Sequence, residues 1–240
     1  MPDSEAERLP REPGGRIPGR RGTATRERLL ASTAELLARK PYRSITVTEI
    51  ARGARTSPAT YYQYFLDIES AVLALAEASA AEGAELSAPL LAKRWRGADG
   101  WQNSLAVVDA FLDFWRSHQP ILRVVDLLTE EGDERVRAVR VGMLNVVTRQ
   151  LASVITEVRG AADGRPRADP MATAAVLVSM LAHVAAHQAR YEDWSISMAS
   201  IRDAMADVVY WAITGPRVPE HERPKPGPTR AVRKAVPPRG

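Results

Sequence analysis

The stretch that decides the fold reads Ile45-Thr-Val-Thr-Glu-Ile-Ala-Arg-Gly-Ala-Arg-Thr-Ser-Pro-Ala-Thr-Tyr-Tyr-Gln-Tyr-Phe65. Thr46 and Glu49 have the Thr-x-x-Glu spacing of a capping box, in which each side chain accepts a hydrogen bond from the other residue's backbone N–H. Ile45 and Ile50 occupy the two positions of a hydrophobic staple across the same helix start. The pattern therefore predicts a short helix that begins at Thr46 and ends near Gly53.

A second short helix is predicted directly after the first. Ser57 is a favourable N-cap, and the ring of Pro58 suits the first helical position. This helix is predicted to end near Tyr64. Two short helices joined by a tight turn form the helix-turn-helix layout, whose second helix must be exposed on one side to enter a DNA major groove about 12 Å wide. Tyr61 and Phe65, four residues apart, are predicted to pack inward.

The outer face of this second helix carries residue types suited to DNA. Gln63 can pair with adenine and Ala59 can contact a thymine methyl group, while the hydroxyls of Tyr62 and Tyr64 suit phosphate. Pro58 shares this face. The arginines that precede the unit can reach an adjacent minor groove or the backbone: Arg20, Arg21 and Arg26. On spacing alone, a capped helical hairpin whose tyrosines are packing residues stays open as the alternative.

Helical periodicity dominates the rest of the chain, and no run of alternating β-branched residues bounded by hairpin turns interrupts it. The first helix is predicted at residues 25–39, with Leu29 and Leu37 on its apolar face, and it stops at Pro41. Asp67 is predicted to cap a fourth helix over residues 68–86. Further helices are predicted at about 101–118, 120–130, 133–159, 170–190 and 196–214. The predicted fold class is all-α.

Composition places the chain among ordinary globular proteins, with 45% hydrophobic and 26% charged residues. Cysteine is absent, which excludes disulfides, thiolate metal sites and a cysteine nucleophile, and fits a reducing compartment. No apolar run approaches the roughly 18 residues of a membrane span, and no export signal is visible. We therefore expect a cytoplasmic protein without membrane association.

Charge is distributed unevenly along the chain. Residues 19–65 hold nine basic residues against three glutamates, a charge of +6, and residues 215–240 hold seven against two, a charge of +5. Residues 66–214 carry −6. Basic segments beside an acidic body are typical of a protein that binds a polyanion, although scattered charge without a function fits the same distribution. Composition predicts that residues 1–22 form a disordered arm and residues 215–240 a disordered, basic, Pro-rich tail.

The runs Ile45-Thr-Val-Thr-Glu-Ile-Ala-Arg52 and Ser57-Pro-Ala-Thr-Tyr-Tyr-Gln-Tyr-Phe65 resemble the DNA-binding signature of the TetR/AcrR family of bacterial transcriptional regulators. The resemblance implies a three-helix, helix-turn-helix DNA-binding domain over residues 23–75. It also implies a helical domain over residues 76–214 that binds a small effector and forms a homodimer. Together with the residues described above, it gives the predicted DNA-contacting set: Arg20, Arg21, Arg26, Arg43, Thr46, Thr48, Arg55, Ser57, Pro58, Ala59, Thr60, Tyr62, Gln63 and Tyr64.

Two positions depart from the family pattern. The family usually has a glycine in the turn where Arg55 stands, so Arg55 is expected either to adopt a left-handed conformation or to rearrange the turn. The family usually has a phosphate-facing lysine where Ile68 stands, which implies one backbone contact fewer. Both departures also fit an alternative function, a helical small-molecule-binding protein whose helix-turn-helix no longer reads DNA specifically.

Apolar residues recur at helical spacing in the predicted helices 101–118 and 133–159, and they can line a concave pocket with a few polar anchors. The predicted effector-binding residues are Trp101, Leu105, Val108, Leu112, Trp115, Met143, Leu144, Val147, Gln150, Leu151, Ser179 and His183. The same stripe also fits ordinary core packing. A weaker similarity to the EthR-like branch of the family, with its long apolar ligand channel, rests on Trp101 and the helix order.

The last two predicted helices are rich in small residues that allow close helix approach. They are expected to form a four-helix bundle with a second copy, and a buried hairpin within one subunit is the alternative. His183 and His187 have an i, i+4 spacing able to hold a metal, but no third ligand accompanies them. No metal, cofactor or catalytic motif is predicted, and the protein is not expected to be an enzyme.

These expectations combine into a single predicted function. The protein is expected to be a repressor that binds a palindromic operator as a homodimer, with its two recognition helices about 34 Å apart on successive major grooves. A small, largely apolar effector is expected to release it from the operator. We expect the effector to act by moving the fourth helix, which joins the two predicted domains.

Overall fold

The computed structural model describes residues 20–91, 95, 97–160 and 168–215, and within these ranges the chain is all-helical, as predicted. The helices are α1 Arg20–Arg39, α2 Val47–Gly53, α3 Pro58–Tyr64, α4 Ile68–Leu91, α5 Gly97–Glu130, α6 Glu134–Gly160, α7 Pro170–Ala186, α8 Gln188–Glu192 and α9 Met198–Thr214. The predicted arm, residues 1–22, and the predicted tail, residues 215–240, lie outside the described residues except for residues 20–22 and residue 215. There α1 begins five residues earlier than predicted, because the single glycine between Arg20 and Thr25 does not end a helix.

Two apolar clusters hold the helices together, and the first closes around α1 to α4. This N-terminal core consists of Leu29, Leu37, Ile45, Ile50, Ala54, Tyr61, Phe65, Ala71, Val72, Ala76, Val124, Val125, Leu128 and Val136. Its last four members come from the end of α5 and the start of α6. The packing of the helix-turn-helix part therefore continues across residue 75, the predicted boundary between the two domains.

The second cluster, the C-terminal core, joins α5, α6, α7 and α9. Polar contacts at its edge tie α9 to α5: Arg202 Nη2 lies 2.7 Å from Asp109 Oδ2, and Trp101 Nε1 donates to Asp207 Oδ1 at 2.9 Å. The Arg202 guanidinium holds the pKa of Asp109 below its usual value. None of the helices in the described ranges is long and apolar enough to cross a membrane.

Helix α5 corrects the predicted division at Pro120. Two helices were expected over residues 101–118 and 120–130, whereas one helix runs through the proline. Pro120 removes one N–H from the helical ladder, and its ring crowds the carbonyl four residues earlier. Trp115 and Leu122 on either side of it are buried in the C-terminal core, and Val125 is buried in the N-terminal core. Packing on both sides of the proline thus keeps α5 continuous, and the helix spans both cores.

The predicted helix over residues 170–190 is divided in the structure. Asp169 caps its start as expected, since the carboxylate accepts from the Ala172 N–H at 2.7 Å. Helix α7 ends at Ala186, and His187 leaves the helical region with φ −116° and ψ 20°. The side-chain amide of Gln188 then donates to the Ala185 carbonyl at 3.0 Å. This bond satisfies one of the free carbonyls at the end of α7, so the chain can turn there before α8.

Candidate nucleic-acid interface and effector core

The start of α2 is held by the predicted capping box. The Thr46 hydroxyl accepts from the Glu49 N–H at 3.3 Å, and the Glu49 carboxylate accepts from the Thr46 N–H at 3.0 Å. Lys40 Nζ lies 2.6 Å from Glu49 Oε1, and its hydrogen bond lowers the pKa of Glu49 to about 2. Ile45 and Ile50 are both buried in the N-terminal core, in agreement with the staple. The charge of Glu49 is therefore neutralised at the helix end that is expected to approach phosphate.

The turn after α2 is packed closely against α1. The Ser32 hydroxyl donates to the Ile50 carbonyl at 3.0 Å, and a Cβ atom at Gly53 would lie 2.2 Å from Ser32 Oγ. Any side chain at Gly53 would thus displace the hydroxyl from its bond. Arg28 Nε donates to the Ala54 carbonyl at 3.2 Å and holds the turn from the other side. The next residue, Arg55, has a φ of 55°, so it adopts the left-handed conformation, one of the two expected alternatives.

Helix α3 is anchored along one aromatic face. Ser57 Oγ accepts from the Thr60 N–H at 3.1 Å and Pro58 occupies the first turn, as predicted. Tyr61 and Phe65 are buried, and the Tyr61 hydroxyl donates to the Asp67 carbonyl at 2.9 Å. Burial raises the pKa of Tyr61 above its usual value, so the phenol stays a neutral donor. The inward packing predicted for Tyr61 and Phe65 is confirmed.

The opposite face of α3 is open to solvent. Tyr62 is 56% exposed, Pro58, Ala59 and Gln63 are exposed as well, and Thr60 and Tyr64 are half-buried. The remaining predicted contacts on this unit also keep their solvent access: Thr46, Thr48, Arg55 and Ser57. Thr46 and Ser57 serve as N-caps, so each presents its hydroxyl beside the free N–H groups of a helix start. This is an arrangement that suits phosphate oxygens.

Arginines surround this unit in different settings. Arg26 lies over the ring of Phe65, with Cζ 5.4 Å from the centroid, and Arg43 forms an ion pair with Glu131 at the end of α5. The side chains of Arg20 and Arg21 lie outside the described part of the structure. Arg52, which is not in the predicted set, is a further basic residue exposed on α2. Its position four residues after Thr48, on the same helical face, was the signal available.

The predicted effector residues fall into two groups. The larger group is part of the C-terminal core: Leu105, Val108, Leu112, Trp115, Val147 and Leu151 are buried in it, and Trp101, Met143 and Leu144 pack against it. Gln150 is half-buried on α6. Ser179 and His183 are exposed on α7, because that helix turns Leu177, Val178 and Leu181 toward the core instead. The structure does not bring these two residues together with the others.

Large apolar side chains remain exposed on α7 and α9. Val176 on α7 is 71% exposed and Trp211 on α9 is 57% exposed, and Val208 is exposed one turn before Trp211. On α7 the same face carries Ser179 and His183, the latter stacked on His187 with ring centroids 4.2 Å apart. Within the described ranges no group of three metal-ligating side chains forms around this histidine pair. Exposed apolar surface of this extent is typical of protein contact sites.

The all-helical fold and the capped α2–α3 unit define a helix-turn-helix DNA-binding protein. Two family models match the chain: "Bacterial regulatory proteins, tetR family" over residues 29–75, and "Tetracyclin repressor-like, C-terminal domain" over residues 86–220. The chain therefore belongs to the TetR family of transcriptional regulators. No curated protein matches its sequence significantly. The similarity to the EthR-like branch stays a prediction, because the two family descriptions name no branch.

Several solved structures share the fold. A TetR-family transcriptional regulator from Streptomyces coelicolor is 18% identical with a TM-score of 0.60, and the match covers 80% of this chain and 82% of that one. FadR from Bacillus subtilis in complex with stearoyl-CoA is 14% identical with a TM-score of 0.60, and the match covers 79% of this chain and 98% of that one. Thermus thermophilus FadR in complex with lauroyl-CoA is 19% identical with a TM-score of 0.55, and the match covers 85% of this chain and all of that one, 100%.

Proposed function

We propose that this protein is a repressor that binds a palindromic operator as a homodimer and leaves it when a small, largely apolar effector binds. The outward face of α3 carries this proposal. Tyr61 and Phe65 fix the helix from inside, so Ala59, Tyr62 and Gln63 stand free on its other side. Such a rigid, one-sided helix is what entry into a major groove demands.

Sequence-specific binding is tested by fluorescence anisotropy with the DNA upstream of the protein's own gene, against scrambled DNA, at two salt concentrations. We expect specific binding that weakens steeply with salt, because bound phosphates release counterions. Gln63→Ala should lower the affinity for the operator by about 1–3 kcal/mol and that for scrambled DNA far less. Glu77→Ala, on the exposed surface of α4, is the matched control. Equal binding to both DNAs would favour instead a small-molecule-binding protein whose helix-turn-helix no longer reads DNA.

The homodimer is supported by the exposed face of α7 and α9. Val176, Val208 and Trp211 expose apolar surface there, although the opposite faces of the same helices are buried in the C-terminal core. Ala175 and Ala204 on these helices are also exposed, and small side chains permit close helix approach. Two such helices from each copy form a four-helix bundle, which sets the distance between the two recognition helices.

The dimer is tested by sedimentation velocity of the full chain. Trp211→Glu should convert the dimer to monomers and abolish tight operator binding, because it puts a charge into an apolar interface. Val141→Glu is the matched control, since Val141 is an exposed apolar residue that belongs to α6 and not to α7 or α9. A Trp211→Glu variant that remains dimeric would show that the copies meet elsewhere.

The effector is proposed to carry an apolar chain. Its support is the apolar C-terminal core that α5, α6, α7 and α9 form, together with the similarity in fold to FadR structures that contain stearoyl-CoA and lauroyl-CoA. Helix α4 is suited to transmit the effect. It supplies Ala71 and Val72 to the N-terminal core, and its Glu82 contacts His118 of α5 at 3.1 Å.

The effector proposal is tested by titrating long-chain acyl-CoA and fatty acids into the preformed operator complex. Anisotropy should fall as the protein leaves the DNA, and by reciprocity the operator should weaken binding of the same compound. A complex that keeps its operator affinity in the presence of bound acyl compound would contradict release by such an effector.

A further inference from the structure

Where α5 meets α6, two buried hydrogen-bond donors find no acceptor among the described residues. Trp115 is 5% exposed, and its indole Nε1 has no partner in the described ranges. The side chain of Arg140 on α6 is 16% exposed, and its Nη1 is likewise unpaired within that part of the chain. Buried polar groups are nearly always hydrogen-bonded, because an unpaired one has lost its water without compensation. Two such groups in neighbouring side chains indicate that each can take an acceptor from outside the described residues.

The geometry of Arg140 shows which edge of its guanidinium lacks an acceptor among the described residues. Arg140 Nε donates to Asp126 Oδ1 at 2.8 Å, and the guanidinium Cζ lies 5.7 Å from the centroid of the Trp115 ring. In a planar guanidinium, Nη1 lies on the other side from the Nε–H bond. Asp126 therefore balances the charge from one side and leaves the Nη1 edge free beside Trp115.

The two donors lie at the junction of the two apolar cores. Trp115 belongs to the C-terminal core, whose buried members include half of the predicted effector residues. Arg140 follows Val136 of the N-terminal core by one helical turn and precedes Met143 and Leu144, which pack against the C-terminal core. An apolar chain held in the C-terminal core would thus end with its head group at these donors, directly beside the packing of the helix-turn-helix.

We propose that Trp115 Nε1 and Arg140 Nη1 bind the acyl oxygen at the head of the effector. This inference rests on the proposed effector function and assigns the chemistry of the head group. Both free groups are pure donors, so the ligand atom must be an acceptor. A carboxylate and a thioester carbonyl both supply such an acceptor. A protonated amine offers only donors. An alcohol brings a further donor that would need its own acceptor.

Isothermal titration of the full chain with dodecanoic acid, dodecanoyl-CoA and 1-dodecanol tests the assignment. At least one acyl compound should bind about tenfold or more tightly than the alcohol, the size expected for a hydrogen bond to a charged group. Binding of the acid alone identifies a carboxylate, binding of the thioester alone identifies its carbonyl, and binding of both identifies the shared oxygen. A protein that binds the alcohol as tightly as both acyl compounds overturns the proposal.

Two variants test the residues. Trp115→Phe removes the N–H and keeps a ring, and Arg140→Met removes the guanidinium and keeps an unbranched chain, so each should bring acyl and alcohol binding within about threefold of each other. Arg137→Gln, at an exposed position of the same helix, should keep the wild-type preference. Circular dichroism and the Tm of each variant show whether it is folded. If Arg140→Met does not fold, Trp115→Phe decides the test.

The outcomes separate this inference from the proposed function. If acyl compounds release the operator complex but Trp115→Phe keeps the full preference for them over the alcohol, the head group binds elsewhere and only the present inference fails. If the protein binds its operator and none of the three compounds binds the wild type, both the inference and the proposed apolar-chain effector are wrong, while repression itself stands.

Discussion

Arg43, in the turn that precedes α2, forms an ion pair with Glu131 at the end of α5. The pair joins the helix-turn-helix part to the acidic remainder of the chain. Arg43 belongs to the predicted DNA-contacting set, and in the structure its guanidinium is paired with a carboxylate of the protein. We therefore expect the operator and Glu131 to compete for this arginine.

Glu131→Gln should strengthen operator binding. The substitution frees Arg43 for phosphate and removes one negative charge near the DNA, so affinity should rise by up to about fivefold. The slope of log affinity against log salt should become steeper by about one. Anisotropy titrations at several KCl concentrations measure both quantities. The double variant Arg43→Gln/Glu131→Gln is the control, and a gain that survives in it would show that Arg43 is not responsible.

Arg55→Gly should stabilise the protein slightly and weaken its hold on DNA. Relief of the left-handed conformation gains about 1–2 kcal/mol, and the freer unfolded glycine chain costs about 0.4–1 kcal/mol of that gain. The loss of an exposed positive charge beside α3 should lower the affinity for all DNA sequences alike. Urea denaturation and anisotropy report the two effects separately.

Arg55→Ala is the matched control for that variant. Alanine removes the same charge but keeps a Cβ at a φ of 55°. It should therefore weaken DNA binding as much as glycine does and give no gain in stability. Equal stabilisation by both substitutions would mean that the backbone strain of Arg55 is negligible.

Much of the helix-turn-helix could be predicted because its signals are local. Sequence spacing determines these signals, because the capping box of Thr46 and Glu49 and the Ser57-Pro58 start satisfy backbone groups within one turn. The Asp169 cap of α7 is predictable for the same reason. The continuity of α5 through Pro120 could not be predicted in this way. It depends on burial of Trp115 and Val125 in two separate cores, and such long-range packing outweighs a local helix breaker.

The effector residues show the same limit of local patterns. Periodicity located the apolar face of α5 correctly, but the rotation of α7, which leaves Ser179 and His183 exposed, depends on packing against other helices. Arg140 was not predicted at all, since its significance lies in its contacts with Trp115 and Asp126 from another helix. No spacing within α6 distinguishes it from the exposed Arg137.

Leu128→Ala should destabilise the whole protein although residue 128 lies outside the predicted DNA-binding domain. Leu128 is buried in the N-terminal core together with residues of α1 and α4. Truncation leaves a cavity that costs about 2–5 kcal/mol. The free energy of unfolding from urea denaturation measures this loss, and Leu66→Ala, at an exposed position, should change it by no more than about 0.5 kcal/mol. Similar values for both variants would refute a shared core.

The contacts of Glu49 should make stability depend on pH in the acid range. Its pKa is lowered from 4.5 to about 2, so the folded protein binds fewer protons there than the unfolded chain. The stabilisation is complete above the unfolded value and is lost as the pH falls toward 2. Urea denaturation should therefore show that wild type exceeds Glu49→Gln in its free energy of unfolding, and that this difference shrinks as the pH falls from 4.5 to about 2. Glu77→Gln is the control, and a difference that stays constant with pH would contradict the contribution of this carboxylate.

The N-terminal core is completed by four residues from beyond the predicted DNA-binding domain: Val124, Val125, Leu128 and Val136. A recombination point placed at residue 75 would transfer the recognition helix without the side chains that close the core behind it. A chimaera intended to carry this operator specificity must also take the end of α5 and the start of α6. Natural exchange of such modules faces the same constraint, so the two halves of the chain are expected to be inherited and to diverge as a matched pair.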